Sequence, residues 1–269
     1  MEERIKKYLE LVKEQIESNK EPKTINDELH TVTVDIENAD LEIDTRVKIA
    51  TYVLKLLSKE QRIELCKRLI EEQIVKQRDE LSHWSTLTAQ SGMIDTGYIS
   101  QHLVSLCKQI PGQGMRGKGL DLIDGSEVKS ANFIDSKDRK GATEPRWNFS
   151  SPQDEKLNEF LHYTFIYMVS IDYSSKGNLR IRIWEIDVRK HTALRKRYKE
   201  WMDNPDRNSR NFQLFPPKSG EDSVYAHHGS NKKGQLPPTE IALENVVGAR
   251  KIFHAEVIDG EVIVSVFEG

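Results

Sequence analysis

The hydrophobic pattern of the chain changes its period partway along the sequence, and this change limits the folds that the chain can adopt. Over the first part, apolar residues recur at the three- and four-residue spacing of an amphipathic helix. Such stripes run through residues 2–18, 45–57 and 58–74. Ser58 and Gln61 have the spacing of a capping box, which predicts a helix that begins there. The pattern predicts a helical N-terminal region at residues 1–85.

Further along the chain, the apolar residues follow the pattern of strands. Residues 161–171 form an apolar and aromatic run, and residues 179–188 alternate between isoleucine and charged side chains. Near the end, Asp259-Gly260 separates two strand-like segments, which predicts a hairpin of residues 251–258 and 261–267. Residues 190–201 predict a basic helix, and residues 216–238 a loop. The chain is therefore expected to be an α/β protein with a central sheet.

Composition and charge exclude several classes of protein. The apolar fraction is 37%, and no apolar run reaches the length of a membrane span, so we expect a cytoplasmic protein with no membrane partner. The two cysteines form no Cys-x-x-Cys motif, which argues against a zinc site. The net charge is −3, yet residues 176–218 carry 12 basic and 5 acidic side chains. This local excess indicates an anionic partner; a solvated helix surface is the alternative.

Two carboxylates and a lysine lie close together in the sequence after a glycine-rich run. Residues 112–119 contain four glycines but lack the Lys-Ser/Thr of a phosphate loop, so we expect a basic loop that faces DNA. Next, residues 120–123 and 127–131 read as strands of a tight hairpin around Asp124-Gly125. With a three-residue turn, Asp121, Glu127 and Lys129 share one face, whereas a two-residue turn scatters them. The two carboxylates would bind Mg²⁺, which favours phosphodiester hydrolysis.

These residues carry a resemblance to a known enzyme class. Asp121, a short spacer and Glu127-Val128-Lys129 resemble the signature of the PD-(D/E)XK nuclease superfamily. The superfamily often has proline before the first acid and a longer spacer; here Leu120 precedes it, and Asp124 stays open as the first acid. With Ser130-Ala131-Asn132 and Pro145-Arg146-Trp147-Asn148, residues 86–150 resemble type II restriction endonucleases of the MamI-like family.

The resemblance implies a fold, an activity and partners. It implies a central mixed β-sheet flanked by helices, with the catalytic hairpin at its middle and the nuclease core at residues 86–269. It also implies Mg²⁺-dependent cleavage of double-stranded DNA at an interrupted palindrome of the GAT…ATC kind. Such a target calls for a homodimer with one active site per strand. A cognate DNA methyltransferase would protect the host DNA.

Roles for individual residues follow from the motif and from side-chain chemistry. Asp121 and Glu127 are the predicted metal ligands, and Lys129 assists the attacking water. The predicted DNA contacts are Arg116, Lys118, Ser130, Asn132, Arg146, Trp147, Asn148, Arg195, Arg197, Lys232 and Lys233. For Trp147, a place in the core or at its rim is the alternative. Arg180 and Arg182 are also expected to point outward and contact phosphate, with pairing inside the fold as the alternative. The upstream acids Glu71, Glu72, Asp79, Glu80 and Asp95 stay open as further metal ligands.

Three matters stay open at the level of sequence. His227 and His228 could contact phosphate together with the neighbouring lysines, or could bind metal. The same catalytic motif would also serve a repair or recombination nuclease that recognises DNA structure. Finally, the acidic hairpin could be an ordinary exposed turn in a DNA-binding protein that is not an enzyme.

Overall fold

The protein has an α/β fold in which one mixed sheet lies between layers of helices and shorter strands. The computed structural model describes residues 2–37, 41–90, 92–114, 120–134, 144–150, 157–207 and 211–269. The helices described are α1 (Glu2–Ser18), α2 (Ile25–Glu37), α3 (Ile43–Leu56), α4 (Lys59–Ile70), α5 (Gln77–Thr88), α6 (Thr96–Lys108), α7 (Leu157–His162) and α8 (Thr192–Asp203). The strands are β1 (Glu127–Asn132), β2 (Trp147–Ser150), β3 (Ile166–Tyr173), β4 (Leu179–Ile186), β5 (Asn211–Leu214), β6 (Tyr225–His228), β7 (Thr239–Ala242), β8 (Ala249–Ile258) and β9 (Glu261–Phe267).

The N-terminal region is helical, as the apolar spacing predicts. Tyr8, Val12 and Ile16 form the buried stripe of α1. The predicted capping box is confirmed: the Gln61 amide donates to Ser58 Oγ at 3.2 Å, and the Ser58 amide donates to Gln61 Oε1 at 3.0 Å. After α4, a π-helical turn at Glu71–Lys76 continues the chain directly into α5. None of the helices in the described ranges is long and apolar enough to cross a bilayer.

A five-stranded sheet in the order β1-β3-β4-β8-β9 forms the centre of the molecule. The first pair, β1 with β3, is parallel, and the remaining pairs are antiparallel, so the sheet is mixed. The predicted terminal hairpin is confirmed as β8 and β9, with positive φ angles at Asp259 and Gly260. The expectation of a central mixed sheet with a helical N-terminal region is therefore confirmed.

The two faces of the sheet pack against different layers. One face, with Val169 and Ile183, packs against α4 and α6. The other face, with Met168 and Trp184, is covered by what we call the cover layer, which comprises β2, β5, β6, β7, α7 and α8. In this layer β2 pairs with β5, β6 pairs with β7, and a bridge between Phe215 and His227 joins the two ribbons. Val128 points to the face that packs against α4 and α6. Glu127 and Lys129 alternate with Val128 along β1, so they point to the opposite face, toward the cover layer.

Several local predictions are wrong. Residues 120–123 do not pair with β1 as a hairpin; Leu122 instead makes an isolated bridge with Gly112, and β1 pairs with β3. As a result the candidate catalytic strand lies at the edge of the sheet and not at its middle. The apolar run at 161–171 is a strand only from Ile166, because α7 extends to His162. The loop expected at residues 216–238 contains the whole of β6, Tyr225–His228.

Candidate active site

The structure brings Asp121, Glu127 and Lys129 together at the open edge of β1. Glu127 and Lys129 are two residues apart on the strand, so they share a face, and Lys129 Nζ donates to Glu127 Oε1. Asp121 precedes the strand, and its Oδ2 accepts a hydrogen bond from the Val128 amide at 2.8 Å. That amide belongs to the edge of β1 that no strand of the described residues pairs with. The Asp121 carboxylate therefore accepts the hydrogen bond that the carbonyl of a neighbouring strand would otherwise accept.

A compact turn fixes the approach to β1. The amide of Leu122 donates to the Ser126 carbonyl at 3.1 Å, and Gly125, with φ +88°, occupies the left-handed conformation that glycine favours. The carboxylate of Asp124 accepts from the Ser126 amide at 3.0 Å and from the Ser126 hydroxyl at 2.9 Å. Asp124 is thereby engaged inside the turn, whereas Asp121 lies beside Glu127 and Lys129. The geometry favours Asp121 as the first acid of the motif.

Gln101 is a site residue that the sequence reasoning missed. This α6 side chain donates from Nε2 to Asp121 Oδ1 at 2.7 Å. With one oxygen bound by Gln101 and the other by the Val128 amide, the carboxylate of Asp121 is fixed in orientation. No local pattern pairs Gln101 with an acid twenty positions further on, because the contact arises only when α6 packs against β1. The sequence offered one indication of this role, namely that Gln101 is a polar residue in the helical segment that precedes the motif.

Burial opposes the ionisation of both carboxylates. It raises the pKa of Asp121, against the lowering effects of the Val128 amide and of Lys129. Burial likewise raises the pKa of Glu127; the Lys129 ammonium opposes this shift, and the charge of Asp121 adds to it. A bound cation would favour the ionised form of both groups. Lys129 supplies part of that positive charge.

The donor set fits a magnesium ion. Mg²⁺ commonly takes one or two protein carboxylates and completes its octahedron with water and phosphate oxygens. Asp121 and Glu127 offer two carboxylates beside the unpaired edge of β1, which matches this preference. Within the described ranges, no group of three or more His, Cys, Asp and Glu side chains forms a fully protein-built metal cage. The arrangement would leave coordination positions for water and substrate.

None of the upstream acids joins Asp121 and Glu127 in a group of three possible metal ligands among the residues that the structure describes. These acids are Glu71, Glu72, Asp79, Glu80 and Asp95. Glu71 and Glu72 form ion pairs with neighbouring basic residues at 2.8 and 2.5 Å. Asp95 caps α6 by accepting from the Gly97 amide at 3.0 Å. Asp79 and Glu80 are exposed on α5.

The predicted DNA contacts near β1 have different surroundings. Arg116 and Lys118 lie outside the described residues. Ser130 faces α6, where the Ser100 hydroxyl donates to its Oγ at 2.9 Å. Asn132 accepts from the Ile134 amide at 2.9 Å and so caps the end of the strand. Ser130 and Asn132 are thus engaged within the fold.

On β2, the motif Arg146-Trp147-Asn148 divides between the surface and the core. Asn148 is exposed, and Arg146 donates to Gln213 Oε1 at 2.6 Å. Trp147 is fully buried, and its indole donates to the Val169 carbonyl at 2.8 Å. Trp147 as a DNA contact is therefore a wrong prediction, because its ring belongs to the core between the sheet and the cover layer.

Three arginines expected to reach phosphate are buried instead. Arg180 and Arg182 pair with the buried Asp172 on the adjacent strand β3. Arg197 is 6% exposed and donates from Nε to His228 Nδ1 at 2.8 Å. The prediction of an outward-facing side chain is wrong for all three, because partners from other segments surround each guanidinium. For Arg180 and Arg182 the structure shows the alternative, pairing inside the fold.

The remaining basic candidates lie at the surface. Arg195 on α8 is half-buried and donates to the Arg189 carbonyl at 2.6 Å. Lys232 and Lys233 are exposed between β6 and β7. His228 is buried and stacks on Phe212 at 4.4 Å, which argues against a metal ligand at this histidine.

Two comparisons with known proteins point to one family of enzymes. A family model described as MamI restriction endonuclease matches residues 83–255, a span that includes the whole candidate site. The type II restriction enzyme MamI of Microbacterium ammoniaphilum is 35% identical over 198 residues, which cover 68% of this chain and 63% of that enzyme. The match thus spans less than two thirds of the relative's own length. No solved structure matches the chain significantly. The chain belongs to the MamI restriction endonuclease family.

Proposed function

We propose that this protein is a type II restriction endonuclease that hydrolyses phosphodiester bonds of double-stranded DNA at a specific site in the presence of Mg²⁺. The observation that carries the proposal is the meeting of Asp121, Glu127 and Lys129 at the open edge of β1. A half-buried carboxylate and a buried one beside one ammonium suit a metal-assisted attack on phosphate. The family membership supports the same activity.

Each residue of the site has a distinct task in the proposed reaction. Asp121 and Glu127 would hold the Mg²⁺ ion, which when bound polarises the phosphate and lowers the pKa of a coordinated water. Gln101 keeps the Asp121 carboxylate in place through its 2.7 Å hydrogen bond. Lys129 orients the attacking water and stabilises the negative charge that grows on the phosphate oxygens in the transition state.

The DNA contacts that remain in this proposal are a subset of the sequence predictions. They are Arg116, Lys118, Arg146, Asn148, Arg195, Lys232 and Lys233. Asn148 and Arg146 have the amide and guanidinium groups that read base edges in the major groove. Lysines and Arg195 would contact the phosphate backbone, which supplies affinity that falls with salt.

The proposed target and partners follow from the type of reaction. We propose an interrupted palindrome of the GAT…ATC kind, cut by a homodimer with one site for each strand. The enzyme would act in the cytoplasm beside a cognate DNA methyltransferase, with no stable complex between them.

Digestion of unmethylated phage DNA tests the proposal. Wild-type protein with Mg²⁺ should give discrete bands, and mapping of their ends would identify the recognition sequence. Lys129→Ala and Glu127→Ala should abolish the bands, while DNA binding of Lys129→Ala persists in a gel-shift assay. The matched control Lys13→Ala removes an exposed lysine of α1 and should cut like wild type.

Other outcomes would contradict specific parts of the proposal. Full cutting by Lys129→Ala would refute its catalytic role. A smear that disappears in Glu127→Ala would indicate a nuclease without sequence specificity, such as a repair or recombination enzyme. Intact DNA together with Mg²⁺-independent, salt-sensitive binding would indicate a DNA-binding protein that is not an enzyme.

A further inference from the structure

The segment between β6 and β7 forms a small closed loop. We call residues 229–236 the basic loop, because it contains two lysines and no acidic residue. The Ser230 amide donates to the Leu236 carbonyl at 2.9 Å, and the Ser230 hydroxyl donates to Gln235 Oε1 at 2.8 Å. The Gln235 amide in turn donates to the Lys232 carbonyl at 3.1 Å. These bonds close the basic loop on itself and leave Lys232 exposed.

The buried side chain of Arg197 hydrogen-bonds to both ends of the basic loop. Its Nε donates to His228 Nδ1 at 2.8 Å, and its Nη2 donates to the His228 carbonyl at 3.2 Å. The same Nη2 also donates to the Pro237 carbonyl. His228 precedes the loop and Pro237 follows it, so one buried guanidinium holds both ends. The planar fork of arginine suits this role, whereas the single ammonium of lysine could not reach all three acceptors.

Gly229 is required at the start of the basic loop. Its φ of +93° lies in the region that disfavours residues with a Cβ atom. A Cβ atom there would approach the Leu236 carbonyl oxygen to 2.4 Å, the Pro237 carbonyl oxygen to 2.6 Å and Arg197 Nη2 to 2.7 Å. Backbone atoms cannot yield as a flexible side chain does. An alanine at this position would therefore have to open the base of the loop.

The base of the basic loop belongs to the same packed core as the candidate catalytic lysine. His228 stacks on Phe212 at 4.4 Å, and Phe212 contacts Phe149 with 6.1 Å between ring centroids. Lys129 Nζ lies 5.8 Å from the Phe149 ring. A continuous set of side-chain contacts thus runs from the anchored loop to the site at β1. Both sit on the face of the sheet that the cover layer occupies.

We propose that the basic loop is a preorganised contact for the DNA phosphate backbone, and that Arg197 is a positioning residue that holds the loop without touching DNA. This inference rests on the proposed function, which makes DNA the anionic partner. Lys232 and Lys233 supply the exposed charge. A loop that is ordered before binding loses little conformational entropy when DNA arrives, so its charges contribute more of their interaction to affinity.

The test compares the loss of loop charge with the loss of loop shape. The double variant Lys232→Ala/Lys233→Ala removes the charge. Gly229→Ala leaves every charge in place but forces the base open, and Arg197→Lys keeps the charge but not the fork. The matched control is Gly260→Ala, which has a similar φ of +85° and no atom within 4 Å of its added Cβ.

Fluorescence anisotropy without Mg²⁺ would measure DNA affinity from low to moderate salt for each variant. Each phosphate contact contributes about 0.9 to the slope of log affinity against log salt, so the double variant should reduce that slope by up to about 2. Gly229→Ala and Arg197→Lys keep both lysines but not the ordered loop, so they should lower DNA affinity at every salt concentration and raise KM, with kcat close to wild type. Gly260→Ala should match wild type in slope, KM and kcat.

Each contrary result overturns a defined part of the inference. An unchanged slope in the double variant would refute the loop as a phosphate contact. A reduced slope in the double variant, with wild-type DNA affinities for both Gly229→Ala and Arg197→Lys, would refute the positioning role. If wild-type protein binds DNA with these slopes but never cuts it, the proposed nuclease function fails while the loop inference stands.

Discussion

The buried ion pairs of β3 and β4 give a quantitative test of how the cover layer is attached to the sheet. Asp172 is fully buried, and its carboxylate accepts from Arg180 Nε at 2.9 Å and from Arg182 Nη2 at 2.5 Å. The two guanidiniums are 1% and 3% exposed, and they also donate to the carbonyls of Glu221 and Ser223 before β6. Replacing Asp172 by Asn leaves these cations without their buried counter-charge.

The expected magnitude follows from the burial of the partners. Removing one member of a buried ion pair destabilises a protein by about 3–5 kcal/mol, because the remaining charge stays buried and uncompensated. The chain provides a matched control in Asp222, which binds Arg180 at 2.6 Å but has a side chain that is 67% exposed. Asp222→Asn should cost less than about 1 kcal/mol, as is typical of solvent-screened pairs.

Urea unfolding, with linear extrapolation to water, would measure both free energies of unfolding. If Asp172→Asn and Asp222→Asn cost the same, or if the former costs less than about 1 kcal/mol, the argument from buried charge is refuted. Should Asp172→Asn fail to fold, the triple variant Asp172→Leu/Arg180→Met/Arg182→Met removes every charge of the group. Its stability should then be close to that of wild type, because apolar replacement of a whole buried charge group is often neutral.

Three further predictions concern the site and its surroundings. Gln101→Met removes the donor to Asp121 and should weaken Mg²⁺ binding about 10-fold, as calorimetry on the protein without DNA would show; unchanged affinity would contradict an orienting role. Trp147→Phe loses the bond to the Val169 carbonyl and should lower the free energy of unfolding by about 1–3 kcal/mol, with unchanged DNA affinity in anisotropy. Burial and a neighbouring guanidinium lower the pKa of His228 from 6.5 to about 4, so the unfolded chain takes up its proton first as pH falls. The contribution of the neutral histidine to the free energy of unfolding should be complete above about pH 6.5 and should decrease by up to about 3 kcal/mol toward pH 4. In urea unfolding, the free energy of unfolding of His228→Asn should depend less on pH than that of wild type.

Features that depend on neighbouring residues could be predicted from the sequence. The stripe of α1, the capping box at Ser58 and Gln61, and the turn at Asp259-Gly260 all involve contacts within a few positions. Their physical causes, which are helical periodicity, end-capping hydrogen bonds and left-handed turn residues, act locally. The same holds for Glu127 and Lys129, whose shared face follows from the two-residue period of any strand.

The partner of β1 could not be predicted in this way. The hairpin model assumed that the nearest strand-like segment pairs with β1, but Ile166–Tyr173 takes that position in parallel. The choice depends on long-range burial, in which Val128 packs into the core of one face and Ala131 into that of the other. Asp121 still reaches the site, because its carboxylate binds the amide of Val128 where a hairpin strand would have done so.

The burial of charged side chains could not be predicted from the sequence either. Arginine is mostly exposed in proteins, so a basic strand and a basic helix favour surface contacts. Here the compensating groups arrive from elsewhere: Asp172 from β3 for Arg180, and the carbonyls beside the basic loop for Arg197. Sequence shows the charge of a residue but not the partner that a distant segment provides.

The position of Asp121 also bears on edge-to-edge aggregation through β1. The outer edge of a sheet presents unpaired backbone groups that can recruit a strand from another molecule, and charged side chains at such an edge oppose this. Asp121 accepts a hydrogen bond from one outward amide of β1, that of Val128, and places a carboxylate where an incoming strand would have to bind. Substituting Asp121 by Ala would therefore also uncover this amide at the edge. Such a variant should be more prone to aggregate than Lys129→Ala, which leaves the edge covered.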